Sequence, residues 1–365
     1  MLADQTLDLL IRYLVRYFDK RKRARHMFNI ENRRYIGNKF KLMSWIKDIM
    51  LAECADCQSL FDVFAGTGVV SSSLLDVFES ITLNDFLFSN EIIYQGFFGP
   101  GRFNKQKLDS LKNHYNNLPF DVLQKDNYFS ENFGDKFFSV NDAKKIGYIR
   151  QNIEDLYNTK QINKKEYSML LASLLYSADH IANTVGHYDA FIKGKKDKRS
   201  FVFELIEPAA VRGKNVQIFR EDSNVLAPKI KADVAFIDPP YNSRQYSRFY
   251  HVLETLTKWD KPKLYGVAMK PNEENMSAYC KTSAPQAFAD LIKKLNCKYI
   301  VVTYNNTYKP KSSSSANKIS FEQIIAILNT RGSTKVFNKA YRYFNAGKTE
   351  FNDHKEFVFV TKVEK

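Results

Sequence analysis

The alternation of apolar strands with helices constrains this chain most. "SLFDVFAGTGVVSSSLL" (59–75) reads as a strand from Leu60 to Phe64, a glycine turn and a helix. "ESITLNDFLFSNEIIYQGF" (79–97) repeats the order, with a strand from Ile81 to Leu83, the polar pair Asn84 and Asp85, then a helix. Strands joined by crossover helices are the sequence form of a parallel sheet. The rhythm breaks between Phe97 and Ser200, where the chain is polar, rich in Asn and Lys, and mostly helical in pattern, ending in "GKKDKRS". It resumes with "NVQIFREDSNVL", "ADVAFIDPPY" and "CKYIVVTYNN", and closes on "KVFNKAYRYF" and "KEFVFVTKV", two runs flanking a polar turn that read as a terminal hairpin. The expected fold is therefore α/β: a Rossmann-like, mostly parallel sheet with a terminal antiparallel hairpin and a mainly helical inserted lobe. The expected boundaries are 1–30 for an N-terminal helix and basic arm, 31–96 with 201–365 for the sheet domain, and 97–200 for the insert.

Charge narrows the partner. A formal excess of +15 over 365 residues favours a polyanion such as nucleic acid, with plain solubility as the alternative. The run "KRKRARH" (20–26) is either a solvated helix end or a phosphate-contacting arm. The 21 tyrosines and 29 phenylalanines suit stacking on unpaired bases as well as a core. Cys54 and Cys57 form a C-x-x-C, but Cys280 and Cys297 lie far apart and no histidines stand at ligand spacing, so no metal is expected. No apolar run reaches the roughly 20 residues of a membrane span, and the N-terminus carries acids where a signal peptide would be basic. A cytoplasmic protein without membrane association is the expectation.

Three motifs carry chemistry. In "FDVFAGTG" the small residues Ala65, Gly66 and Gly68 follow a strand and let backbone approach a ligand closely. The pattern is neither G-x-G-x-x-G nor a P-loop. Asp85, about twenty residues on, stands where a carboxylate could accept from a ribose, or where it could cap a helix. Asp222 carries the same ambiguity after the third strand. The third motif is "VAFIDPPYNSRQY" (234–246), an apolar strand that runs into an acid, two prolines and a tyrosine. The prolines stiffen the turn. The Asp238 carboxylate and Pro239 carbonyl could then accept the two hydrogens of an exocyclic amine, while Tyr241 offers a ring face to a planar base.

Taken in order, "RYIGNK", "FDVFAGTG", "ND" and "DPPYNSRQY" resemble the adenine-specific DNA methyltransferases of bacterial restriction–modification systems, in their Dam-like (D12, alpha) arrangement. The resemblance covers nearly the whole chain apart from the N-terminal helix and most of the insert. It implies a class I S-adenosyl-L-methionine-dependent fold with a seven-stranded sheet. It puts Tyr35 and Lys39 at the methionine end of that cofactor, and Asp62, Phe64, Ala65, Gly66 and Gly68 at its glycine turn. Asn84 and Asp85 would serve the ribose, and Asp222 with Ser223 the cofactor's adenine. Many Dam-like enzymes have Trp where Tyr35 stands and G-G-G for this chain's G-T-G.

The expected reaction is transfer of a methyl group to N6 of a flipped-out adenine in double-stranded DNA, with Asp238, Pro239, Pro240 and Tyr241 as the catalytic residues. Arg244, Gln245 and Arg248 are expected on DNA phosphates, Tyr250 and His251 lining the base pocket. "NTVGHYDAFIK" (183–193), with His187 and Tyr188, is expected near the target base. The insert is the expected sequence reader, with 263–280 as a second candidate, and a cognate restriction endonuclease is an expected partner. Asp238 argues against cytosine, whose amino methylation usually travels with Ser before the prolines. RNA adenine methylation and a catalytically silent DNA-binding subunit are the rival readings.

Overall fold

The strand β4, Val234–Ile237, is buried at all four positions, as a strand covered on both faces must be. It lies at the middle of the sheet in a computed structural model that describes residues 28–35, 37–192, 200–240, 243–305, 319–340 and 355–364. The other strands are β1 (Ser59–Asp62), β2 (Ser80–Asn84), β3 (Asn215–Phe219), β5 (Tyr299–Asn305), β6 (Gly332–Ala340) and β7 (Lys355–Val363). Their order is β3-β2-β1-β4-β5-β7-β6. The first five run parallel, and β7 inserts antiparallel between β5 and β6. The expected parallel sheet with a terminal antiparallel hairpin is what forms. The expected N-terminal helix and the basic run 20–26 lie outside the described residues.

Alternation along the strands sorts two cores. Leu60, Val234, Phe236 and Val301 face one side, and Phe61, Ala235, Ile237, Ile300 and Val302 the other. On the second side pack α8 (Ser223–Leu226), α11 (Ala284–Lys294) and α12 (Phe321–Asn329). On the first side lie α1 (Met43–Glu53), α2 (Val69–Ser73), α3 (Phe88–Phe97), α9 (Tyr246–Phe249) and α10 (His251–Lys258).

The insert differs from expectation in one respect. It is helical, with α4 (Lys105–Asn116), α5 (Tyr128–Phe133), α6 (Val140–Asn158) and α7 (Lys164–Ile181), but it has no separate core. Its buried residues, among them Phe133, Ile149, Leu170 and Leu174, belong to the same cluster as Leu60, Ile81 and Phe236 of the sheet. The physical reason is α7, which is buried along most of its length and packs directly on α3. Gly96 of α3 allows that approach, since a Cβ there would meet Ala172, Ile206 and the Ser168 carbonyl at 3.0 Å. Charged side chains fasten the same joint. Lys165 of α7 donates to the carbonyls of Gln95, Gly96 and Gly99 at 2.7–2.9 Å, closing the C-terminus of α3. Arg150 of α6 donates to the carbonyls of Leu256 (2.7 Å) and Thr257 (3.0 Å), closing that of α10.

Candidate active site

Strand order reverses between β1 and β4: the chain moves to β2 and β3 on one side, to β5 on the other. Open α/β sheets bind ligands at that switch point, beyond the strands' carboxyl ends. A cleft enclosing about 930 Å³ opens there, lined by the glycine turn, Tyr35 and Lys39, Asp85, Asp222, and the Asp238–Pro240 turn. These five segments, separated in sequence, meet in it.

The glycine turn is held open by backbone geometry. Gly66 and Gly68 have φ of +54° and +78°, which side chains rarely allow. A Cβ on Gly68 would also press on Tyr94 and Phe98 at 3.2–3.3 Å. The Gly66 amide donates to Asp85 Oδ2 at 3.0 Å, and the Leu87 amide to Asp85 Oδ1 at 2.9 Å. Asp85 thus welds the turn to the start of α3, one backbone amide on each oxygen. Burial holds its carboxyl above the usual range. Asp222 caps α8, accepting from Asn224 N at 2.8 Å and Val225 N at 3.2 Å, and also lines the cleft. Asp222 is the helix cap the sequence allowed; Asp85 bonds the Leu87 amide one residue before its helix, and both acids also line the cleft.

Three residues expected in the cofactor set sit behind this surface. Asn84 is fully buried, accepting from Glu221 N at 3.0 Å and donating to the carbonyls of Glu221 (3.1 Å) and Val63 (3.3 Å). It braces the ends of β1, β2 and β3 and does not line the cleft. Asp62 is 1% exposed, its Oδ2 taking the Ser71 hydroxyl at 2.7 Å. Burial, with Asp238 and Asp85 nearby, pushes its carboxyl up to about 7. Gly68 likewise shapes the turn without lining the cleft. Ser223 does line it and donates to the Val63 carbonyl at 3.2 Å.

Asp238 sits at the mouth of β4. Its Oδ1 takes Lys39 Nζ at 2.9 Å and the Thr303 hydroxyl at 2.8 Å. Lys39 is 4% exposed and pairs with the Asp238 carboxylate, whereas the sequence resemblance put it at the methionine end of the cofactor. Thr303 arrives through register: Val302 of β5 pairs with Ile237, so the next residue stands beside Asp238. Pro239 and Pro240 line the cleft next to it. Tyr241 lies outside the described residues.

Aromatic rings form the walls. Tyr35 stacks on Tyr250 at 4.6 Å and 7°, with the Arg33 guanidinium 5.0 Å from the Tyr35 ring. Burial raises the Tyr35 phenol well above its ordinary range, so it stays neutral. Opposite, Phe64 meets Tyr279 edge-on at 4.9 Å. Tyr246, Ser247, Asn275, Ser277 and Tyr279 also line the cleft, the last three from the segment expected as a second sequence reader and not as cleft wall. Tyr279 and Ser277 come from 263–280, whose sequence stands out only as a polar interruption.

The nucleic-acid expectations fare unevenly. Arg244 is 68% exposed and paired with Asp189 at 2.8 Å. His187 is half-buried, stacked on Phe249 at 4.8 Å, and burial lowers its pKa so that it is neutral at pH 7. Tyr188 corrects the reading: it is 0% exposed, its hydroxyl donating to Asp179 at 2.9 Å, so it anchors its loop. Gln245 is buried too, exchanging bonds with the Ser277 backbone at 2.7 and 2.9 Å. Arg248 donates to the Pro271 carbonyl at 2.5 Å. Both brace the segment after the Asp238–Pro240 turn. Tyr250 and His251 are fully buried; the His251 ring nitrogens face the Arg248 carbonyl (Nδ1, 3.0 Å) and the Ala268 carbonyl (Nε2, 2.7 Å), and the neutral ring donates to one of them. Among the described residues no group of three or more His, Cys, Asp or Glu could hold a metal, and no helix is long and apolar enough to cross a membrane.

The cleft fits the cofactor implied by the sequence. A turn opened by Gly66, two acids, an aromatic wall and a buried cation suit a zwitterionic nucleoside whose amino-acid end needs charged partners. A family model for D12 class N6 adenine-specific DNA methyltransferases matches residues 35–312. Type II methyltransferase M.NlaIII of Neisseria lactamica is 30% identical over 328 residues, 88% of this chain and 95% of that one. Modification methylase LlaI of Lactococcus lactis subsp. lactis is 32% identical over 290 residues, 75% of this chain and 46% of the relative. Type II methyltransferase M.FokI of Planomicrobium okeanokoites is 29% identical over 347 residues, 89% and 52% respectively. The chain thus spans about half the length of the last two and nearly all of M.NlaIII.

Proposed function

The chain belongs to the D12 class of N6 adenine-specific DNA methyltransferases, and from that membership we propose that it methylates N6 of adenine at a specific site in duplex DNA, as the modification half of a restriction–modification pair. The observation that carries the reading is the Asp238 carboxylate, fixed through one oxygen by Lys39 and Thr303 at the edge of the cleft. When bound, S-adenosyl-L-methionine supplies an electrophilic methyl group on a sulfonium. Lys39, Asp85, Asp222 and the Phe64–Gly68 turn are the residues to hold it, with Tyr35 as a wall and Asn84, Asp62 and Ser223 as support.

The protein's own part is positioning. An adenine amine inside a duplex cannot be approached in line, so the base must leave the stack. Asp238 and the Pro239 carbonyl then accept its two hydrogens, which draws the lone pair out of ring conjugation and aims it at the electrophile. Tyr241 is assigned to stack on the base and Pro240 to stiffen the turn. Arg244, 68% exposed, is the DNA-facing candidate that remains exposed enough to serve.

Asp238→Ala tests this. Methylation of duplex DNA should fall below detection, by at least about 10³-fold as for loss of a central positioning group, while DNA binding stays within about twofold. Near-normal turnover of that variant would sink the mechanism, and preferential methylation of structured RNA by the unaltered chain would sink the substrate assignment.

A further inference from the structure

Residues 265–270, between α10 and α11, close a tight hairpin that no step above employs. The Tyr265 amide donates to the Lys270 carbonyl at 2.8 Å, the Lys270 amide returns the bond at 2.9 Å, and Met269 N–H reaches Gly266 O at 3.1 Å. At its tip Val267 is 75% exposed. A single exposed aliphatic side chain needs no explanation; what singles this one out is how firmly it is mounted. The His251 Nε2 lies 2.7 Å from the Ala268 carbonyl, which can only accept. Arg248 holds Pro271 O at 2.5 Å, and Lys270 pairs with Asp189 of the Gly186–Asp189 loop.

Arg248 and His251 flank Tyr250, whose ring stacks on cleft-lining Tyr35. Farther along the same connection, Asn275 and Ser277 line the cleft themselves. One connection therefore both lines the cleft, through Asn275 and Ser277, and carries this firmly held apolar point. Three cations accompany it against one acid: Lys270 of the hairpin shares Asp189 with Arg244, and Lys263 lies 5.7 Å from the Tyr265 ring. A small apolar tip between cations matches a base stack between phosphates.

We infer that Val267 is a wedge that enters the base stack and fills the gap left by the extruded adenine; this rests on the reading that the substrate is adenine in duplex DNA. Unstacking a base costs a few kcal/mol, and apolar side chains inserted between base steps offset it. A β-branched side chain suits the task, because χ1 is already restricted and little freedom is lost on insertion.

The test compares two duplexes carrying the chain's own recognition site, found by mapping methylated adenines. In one the target adenine is paired with thymine; in the other it faces an abasic site, so extrusion is cheap. For Val267→Ala, kcat/KM on the paired duplex should fall by about 10-fold or more, while on the abasic duplex it stays within about twofold. A 2-aminopurine at the target position should lose most of its enzyme-induced fluorescence rise on the paired duplex. Val267→Leu should keep both, and thermal midpoints should match the parent. Equal losses on the two duplexes, or no loss on either, overturn the wedge. If the unaltered chain methylates neither duplex, the reading of the reaction itself falls, and the wedge with it.

Discussion

Asp62 shows how close to its limits this site is built. Its carboxyl is buried beneath the cleft, with Oδ1 lacking a hydrogen-bond partner, and burial pushes it up to about 7. Between the ordinary Asp value and 7 the folded chain keeps a proton that the unfolded chain has lost. Its contribution to stability is therefore fully present below about pH 4 and lost as pH rises through 7, by at most about 1.4 kcal/mol per unit. Asp62→Asn keeps a partner for the Ser71 hydroxyl and removes the charge. Urea melts should show the variant close to the parent at pH 5 and gaining on it by pH 8; a constant difference would contradict this. Legibility at this scale followed locality. Asp238, Asp85 and Lys39 stand in short motifs whose chemistry shows in a few adjacent residues. Thr303 reaches Asp238 only through the register of two strands 65 positions apart, and Tyr279 meets Phe64 from a loop with no periodicity to place it. Tyr188 and Gln245 carry polar groups that looked outward in sequence but are turned inward to satisfy buried partners.

At the scale of elements, α3 is clamped at both ends by charge. Glu254 of α10 accepts from Phe88 N (3.0 Å) and Ser89 N (2.8 Å) at its start, as Lys165 closes its end. A carboxylate at a helix N-terminus and an ammonium at its C-terminus both oppose the helix dipole favourably. Because Asp85 and Leu87 lead directly into α3, this clamp also sets the cleft wall. Glu254→Ala leaves two amides without their acceptor, and should cost about 1–3 kcal/mol in chemical unfolding. It should also weaken binding of a cofactor analogue by calorimetry; unchanged affinity would show that the helix start holds without Glu254. Strands and helices alternated legibly because apolar runs and glycine turns are local. The clamps were not legible, since Glu254 and Lys165 look like ordinary helix-surface charges until the partner helix ends are in place.

At the scale of the whole molecule, the positive excess of the sequence points toward DNA. Arg244 is the expected phosphate contact that stays exposed, and Arg244→Ala should lower the log–log salt slope of duplex binding by about 1. An unchanged slope would remove Arg244 from the contact surface. The inserted helices were legible as an interruption of the strand rhythm, but their joint with the sheet was not, because periodicity gives a buried face without its partner.

That joint bears on how such a protein can be rebuilt. If the helices of 97–200 were a detachable reader, exchanging them between relatives would transplant sequence preference. Here Arg150 and Lys165 terminate helices that belong to the catalytic half, so an exchanged cassette would leave carbonyls in both helices without their donors. Residues 97–200 made alone should show no cooperative unfolding transition. A cooperative transition in that fragment would reopen the cassette route; without it, new site preferences have to be grafted loop by loop onto a framework that is inherited whole.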